Sequence, residues 1–175
     1  MTVVGIICIV LIILIGGFYI HTVNKLGRLN ERARNTAGEL DTLLWDRNHL
    51  LDQLITKAEE NGISIPDEHK QPLALSLGML PTMQMSVYST LSKRGNAVFE
   101  LLKEKPGFEA SDEIKKLTVR FTNLKLDITD AGKRYNERAT EFNSYIQTPL
   151  AKFLAGRKGL SEKGHFSLAL AEVYS

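Results

Sequence analysis

The spacing of apolar and polar residues changes character along the chain, and each change predicts an element. From Val3 to Ile20 no side chain is charged or strongly polar. As a helix this run rises about 27 Å, or about 33 Å with Thr2, His21, Thr22 and Val23 as interfacial ends, against a bilayer core of roughly 30 Å. The pattern therefore predicts a single transmembrane helix. From Leu26 it turns amphipathic: Leu26, Leu29, Ala33, Ala37, Leu40, Leu44, Arg47, Leu51, Leu54 and Ala58 step by threes and fours. No proline intervenes before Pro66, so a long helix is expected to reach about Glu60 and stop at Asn61-Gly62. The connector that follows holds Pro66, Pro72 and a polar cluster from Asp67 to Gln71. Its apolar second half, Leu73 to Leu80, is expected to pack over one end of a bundle, with contact to lipid or a partner as the alternative.

Pro81 suits the first turn of a second helix, placed from about Thr82 to Glu104 with Val87, Leu91, Val98, Leu101 and Leu102 facing inward. Lys105-Pro106-Gly107 ends it. Ser111 then serves as N-cap, with Asp112 and Glu113 in a first turn that favours negative charge. Ile114, Leu117, Phe121, Leu124, Ile128, Ala131, Tyr135, Ala139, Phe142 and Ile146 form the most regular stripe of the chain, close to a heptad repeat. Pro149 closes that helix, Leu150 to Ala155 suggests a further short helical piece, and Gly159 and Gly164 punctuate the rest. There is no β-alternation and no internal repeat. The fold class expected is all-α, with an N-terminal transmembrane helix followed by an antiparallel three- to four-helix bundle of long helices. The expected division is 1–23 as anchor, 24–148 as bundle and 149–175 as a basic and apolar tail.

Composition and charge refine this picture. A cleaved signal peptide would carry basic residues before its apolar core and a small-x-small site after it. Met1-Thr2 and Gly16-Gly17-Phe18-Tyr19-Ile20 supply neither. The glycines at 5, 16 and 17 make no G-x-x-x-G pair. No Lys or Arg precedes the span, whereas Lys25, Arg28, Arg32 and Arg34 follow it, which predicts an N-terminus outside and a bundle in the cytoplasm. The lone cysteine, Cys8, lies inside the apolar run and reads as a small apolar residue; it excludes an intrachain disulfide. With 22 basic and 20 acidic residues and a net charge of +2, no overall imbalance points to nucleic acid as a partner.

Catalytic patterns are sparse. Asp46-x-x-His49 and Glu162-x-x-His165 have the spacing of a carboxylate-bridged metal site, but the first pair lies off the Leu44, Leu51 stripe and the second sits among glycines. Both pairs are expected to be exposed. His69 has no second histidine four residues on, the serines at 86, 89 and 92 have no neighbouring base, and no phosphate-binding loop is present. Neither catalysis nor a cofactor nor a metal is expected. Asn136 and Asn143 are one heptad apart, each just after an aromatic on the inward stripe, Tyr135 and Phe142. They are expected to hydrogen-bond Asp41 or Arg47 across the bundle and set its register, with a partner-binding face as the alternative. Lys152, Arg157, Lys158 and Lys163, interleaved with Phe153, Leu154, Leu160 and Phe166, are candidate contacts to anionic lipid.

Tyr135-Asn136, Phe142-Asn143, Ile146-Gln147, Ala155-Gly156, Gly159-Leu160, Glu162-Lys163 and Phe166 resemble, without a gap, the C-terminal signature of the LemA family. The family's usual form there reads Tyr-Asn, Tyr-Asn, Ile-Gln-x-Phe-Pro, Ala-Gly, Gly-Phe, Phe. Leu40-Asp41, Leu44, Arg47, Leu50-Leu51 and Gln53-Leu54-Ile55 are similar to its first soluble segment, and Lys105 to Ser111 to its Tyr-Pro-Asp-Leu-Lys-Ala-Ser turn. Phe-Pro is replaced by Pro149-Leu150, the proline of the first segment by Asp52 and its aspartate by His49, and an acidic-Asn pair by Lys125-Leu126. The resemblance implies a divergent member: a single-pass bacterial membrane protein with a cytoplasmic antiparallel bundle and no established enzymatic activity. The function expected is that of a non-catalytic scaffold or adaptor, self-associating through its long stripes. Membrane shaping through the tail is the alternative, and a metal-containing bundle enzyme a more distant one.

Overall fold

Nothing between Val3 and Glu60 breaks a helix, and α1 (Val3–Glu60) runs through all of it. The computed structural model describes residues 3–71, 73–104 and 111–168, and the other elements are α2 (Asp67–Lys70), α3 (Pro81–Lys103), α4 (Asp112–Ile146) and α5 (Pro149–Arg157). No strand occurs among the described residues. The Lys105-Pro106-Gly107 turn, Pro72 and the last seven residues lie outside them.

The helix ends follow from local chemistry. Pro81 and Pro149 occupy the first turns of α3 and α5, where a missing N–H is harmless. Ser111 Oγ lies 3.5 Å from the Ile114 N–H at the start of α4. Beyond α1, Gly62 takes φ +76°, which lets the Ile63 N–H reach back to Ala58 O at 3.0 Å. Beyond α5, Gly159 at φ +64° does the same, and Leu160 N–H bonds Ala155 O at 2.9 Å.

The chain forms two compact units: Met1–Asn35 with Glu137–Lys163, and Thr36–Asn136 with Gly164–Ser175. The core of the first unit joins Leu26 and Leu29 of α1, Phe142 and Ile146 of α4, and Leu154 and Ala155 of α5. The short helical piece expected over Leu150 to Ala155 lies within α5, which packs into this core. The core of the second unit joins Leu51, Leu54 and Ala58 of α1, Leu91, Val98 and Leu102 of α3, and Ile114 and Phe121 of α4.

Helix directions within the second unit are set by the connector. Glu39 pairs with Arg134, and Lys57 with Glu113 at 3.6 Å, so α4 is antiparallel to α1. Asp41 bonds Gln84, and Asp52 lies 3.6 Å from Arg94, so α3 is parallel to α1. α4 thus runs against both α1 and α3, and residues 61–80 return along the bundle before α3 begins. From Asp41 to Glu60 a helix rises about 28 Å, well within the reach of that many extended residues. The return is fastened on the way: Ile63 and Ile65 are buried, Lys70 pairs with Glu59 at 2.7 Å, and Arg94 donates two bonds to His69 O.

Candidate functional site

The apolar part of α1 is bare. Val3, Ile12, Ile13, Leu14 and Ile15 are 63–73% exposed. The helix is long and apolar enough to cross a membrane, its richest window having a mean hydropathy of 2.6 with 6% of it buried. Cys8 is exposed with its neighbours. Past the run, Thr22 bonds its hydroxyl back to Phe18 O at 2.8 Å, and Lys25 lays its ammonium 4.5 Å from the centre of the Tyr145 ring. Arg28, Arg32 and Arg34 are exposed.

In the same unit, α5 buries Leu154 and Ala155 against Leu26 and Leu29, only a turn or two beyond the apolar run. Its other face presents Lys152, Arg157, Lys158 and Phe153, the last 59% exposed. Lys163 does not join this face, contrary to expectation. Its ammonium stands 4.7 Å from the centre of the buried Phe142 ring, and burial pushes its pKa down. Asn143 explains the placement: its amide donates to Lys163 O at 2.9 Å and accepts from the Lys163 N–H at 2.8 Å.

In the second unit Asn136 does the same for Phe166, donating to its carbonyl at 2.7 Å and accepting from its N–H at 2.8 Å. Tyr135 adds a hydroxyl bond to Gly164 O at 2.9 Å, and burial raises its pKa. Both asparagines thus use their amides on backbone that follows α5, and not on Asp41 or Arg47. An amide side chain matches a peptide group donor for acceptor, and this peptide backbone has no ladder partner of its own. Gly132 makes room, since a Cβ there would lie 2.5 Å from the Phe166 ring.

Asp41 and Arg47, one and a half turns apart on α1, do different work. Asp41 is 2% exposed and gathers three donors: Gly78 N–H at 2.7 Å, Met79 N–H at 3.3 Å and the Gln84 amide at 2.7 Å. Gly78 adopts φ +80°, a turn that suits glycine. Trp45, Leu75 and Leu77 line a shallow groove beside this turn, and Trp45, Leu77, Leu80 and Met83 are 51–86% exposed. The Leu73 to Leu80 stretch therefore divides, with Met79 buried and Leu77 in solvent. Arg47 is 5% exposed, and its guanidinium carbon lies over the rings of Tyr88 and Phe121, 4.5 Å from each centre. It lines a half-open pocket with Ser92, Asn96, Thr122 and Lys125.

Asp46, His49, Glu162 and His165 are exposed, and no group of three or more candidate metal ligands occurs among the described residues. Sequence reasoning missed Gln84 and Tyr88, which are polar or amphipathic residues off the apolar count of α3, and the two glycines that admit aromatic rings, Gly95 and Gly132. A glycine kept inside a long helix, where it is disfavoured by about 1 kcal/mol relative to alanine, was the available signal.

A family model described as the LemA family matches residues 79–174. No curated protein and no solved structure gives a significant match.

Proposed function

The chain belongs to the LemA family, and from that premise we propose that it is a non-catalytic scaffold or adaptor, held by α1 in a bacterial cytoplasmic membrane with its helical units at the cytoplasmic face. The observation that carries this reading is the bare apolar length of α1. A solvated helix with such side chains open to water would be strongly unfavourable, and a bilayer removes the cost. Lys25, Arg28, Arg32 and Arg34, which follow the run, support the orientation. The exposed Trp45, Leu77, Leu80 and Met83 support protein binding, another copy of the chain included.

Orientation is tested by impermeant maleimide labelling of Leu77→Cys in a Cys8→Ser chain. Labelling is expected only after cells are permeabilised; labelling of intact cells would reverse the topology. With a photocrosslinker at Leu77, protein adducts are expected in native membranes, and a chain recovered wholly uncrosslinked would remove the adaptor role.

A second reading, lipid-surface binding, is favoured by one observation. The basic face of α5 belongs to the same unit as the span and packs against the first turns of α1 beyond it. Each of Lys152, Arg157 and Lys158 is expected to contribute about 1 kcal/mol toward anionic lipid at moderate salt. A fluorophore on Phe153→Cys in the Cys8→Ser chain should be quenched by spin-labelled lipid in anionic nanodiscs. The quenching should fall when the three cations are replaced by glutamine or when salt is raised. Equal quenching in zwitterionic and anionic discs would count against it.

A further inference from the structure

We propose that Arg47 and the pocket it lines form a binding site for a small oxyanion, one carrying a carboxylate or phosphate group. The proposal goes beyond anchoring and scaffolding, neither of which uses Arg47.

Three observations meet at this side chain. Arg47 is 5% exposed, yet no ion pair to it forms among the described residues. Its Nε and Nη1 are buried without a hydrogen-bond partner among the described residues. The guanidinium carbon stands over the rings of Tyr88 and Phe121, 4.5 Å from each centre. A buried cation lacking both counter-charge and hydrogen bonds is strongly disfavoured, and two ring faces offset only part of that. The deficit is met in the guanidinium plane, where the N–H bonds point. An oxyanion that presents two oxygens matches a guanidinium with two parallel bonds, as carboxylates and phosphates do.

The surroundings suit such a ligand. The pocket places Asn96 and the cation Lys125 with Arg47, and a third aromatic, Phe99, contributes an apolar wall. Ser92 and Thr122 direct their hydroxyl protons to Tyr88 O and Thr118 O of their own helices, both at 2.9 Å, so selectivity rests on Arg47 and the Asn96 amide. None of the residues lining the pocket is acidic. Elsewhere in the unit Arg94, the other buried arginine, leaves its Nη1 without a partner among the described residues, but its Nε and Nη2 reach His69 O and its Nη2 lies 3.6 Å from Asp52. The contrast marks Arg47 as the one of the two built to receive its partner from outside.

The test is calorimetric titration of the full chain in zwitterionic nanodiscs with inorganic phosphate and, separately, with succinate, in chloride buffer at fixed ionic strength. Saturable binding of at least one probe at one site per chain is expected, with a rise in melting temperature on saturation. A phosphate-only response assigns a phosphate ligand and a succinate-only response a carboxylate. Arg47→Lys keeps the charge without the fork and is expected to weaken binding at least ten-fold. Arg47→Met should abolish binding yet melt no lower than the anion-free parent, because it removes an unpaired buried charge. Absence of binding of both probes to the parent, or undiminished binding to Arg47→Lys, overturns the proposal whether or not Arg47→Met folds.

Discussion

Asp41→Ala is expected to destabilise the second unit by about 3 kcal/mol, because a charged acceptor of three hydrogen bonds is removed from a site where two of the donors cannot turn to water. Met79 is 6% exposed and Gln84 wholly buried, so the Met79 N–H and the Gln84 amide proton aimed at Asp41 would be left unpaired, the Gln84 amide keeping its other bond to Ala37 O at 3.0 Å; Gly78 is exposed and would be rehydrated. Asp41→Asn retains an acceptor oxygen but not the charge, and a loss of about 1 kcal/mol is expected. Urea unfolding followed through Trp45, the single tryptophan of the chain, reads both changes in the unit concerned. A midpoint for Asp41→Ala corresponding to a loss under about 0.5 kcal/mol would be the behaviour of an ordinary surface site and would deny Asp41 this role. The loss should be accompanied by faster hydrogen exchange at Gly78 and Met79, since these are the amides it holds.

Gly95→Ala should cost about 2–3 kcal/mol, although alanine is the better helix former by about 1 kcal/mol. A Cβ at position 95 would stand 2.6 Å from Cε1 and Cζ of Phe121. That ring cannot swing aside freely: it is 1% exposed, meets Phe99 edge-on at 5.5 Å and an interplanar angle of 87°, and lies against the Arg47 guanidinium. Gly38→Ala is the control, since a Cβ there meets nothing within 4 Å and a small gain is expected. Should Gly95→Ala match Gly38→Ala in the same urea experiment, the close approach of α3 to Phe121 would have to be abandoned.

The stripe from Ile114 to Ile146 was legible because one long helix packed along its length must repeat its apolar face, and nearly all of those positions are buried. The length of α1 was legible from the absence of proline. The direction of α3 was not, since direction depends on the path of residues 61–80, and a connector carries no periodicity from which a path can be read. The same holds for the site residues. Asp41, Arg47, Asn136 and Asn143 stood out as polar groups on or beside apolar stripes, but their partners lie in turn backbone at 78–79, backbone after α5, and the faces of two rings. None of these advertises itself by spacing. Lys163 was grouped with its basic neighbours by composition, whereas the bonds from Asn143 turn it toward Phe142.

The first unit is discontinuous, its two pieces being Met1–Asn35 and Glu137–Lys163. During synthesis the apolar run of α1 emerges before the second piece of this unit and, in the proposed anchoring, can enter the bilayer at once. Leu26 and Leu29 then have no partners until Phe142, Ile146 and Leu154 have been made. At about 5–20 residues per second the intervening residues 36–136 take on the order of ten seconds. In the anchored form proposed above, membrane insertion and closure of this core are therefore separate events in time. For that interval such a chain would be held to the lipid with the leucines beside the run uncovered, so that the bilayer surface would be their nearest shelter until the ribosome has delivered their partners.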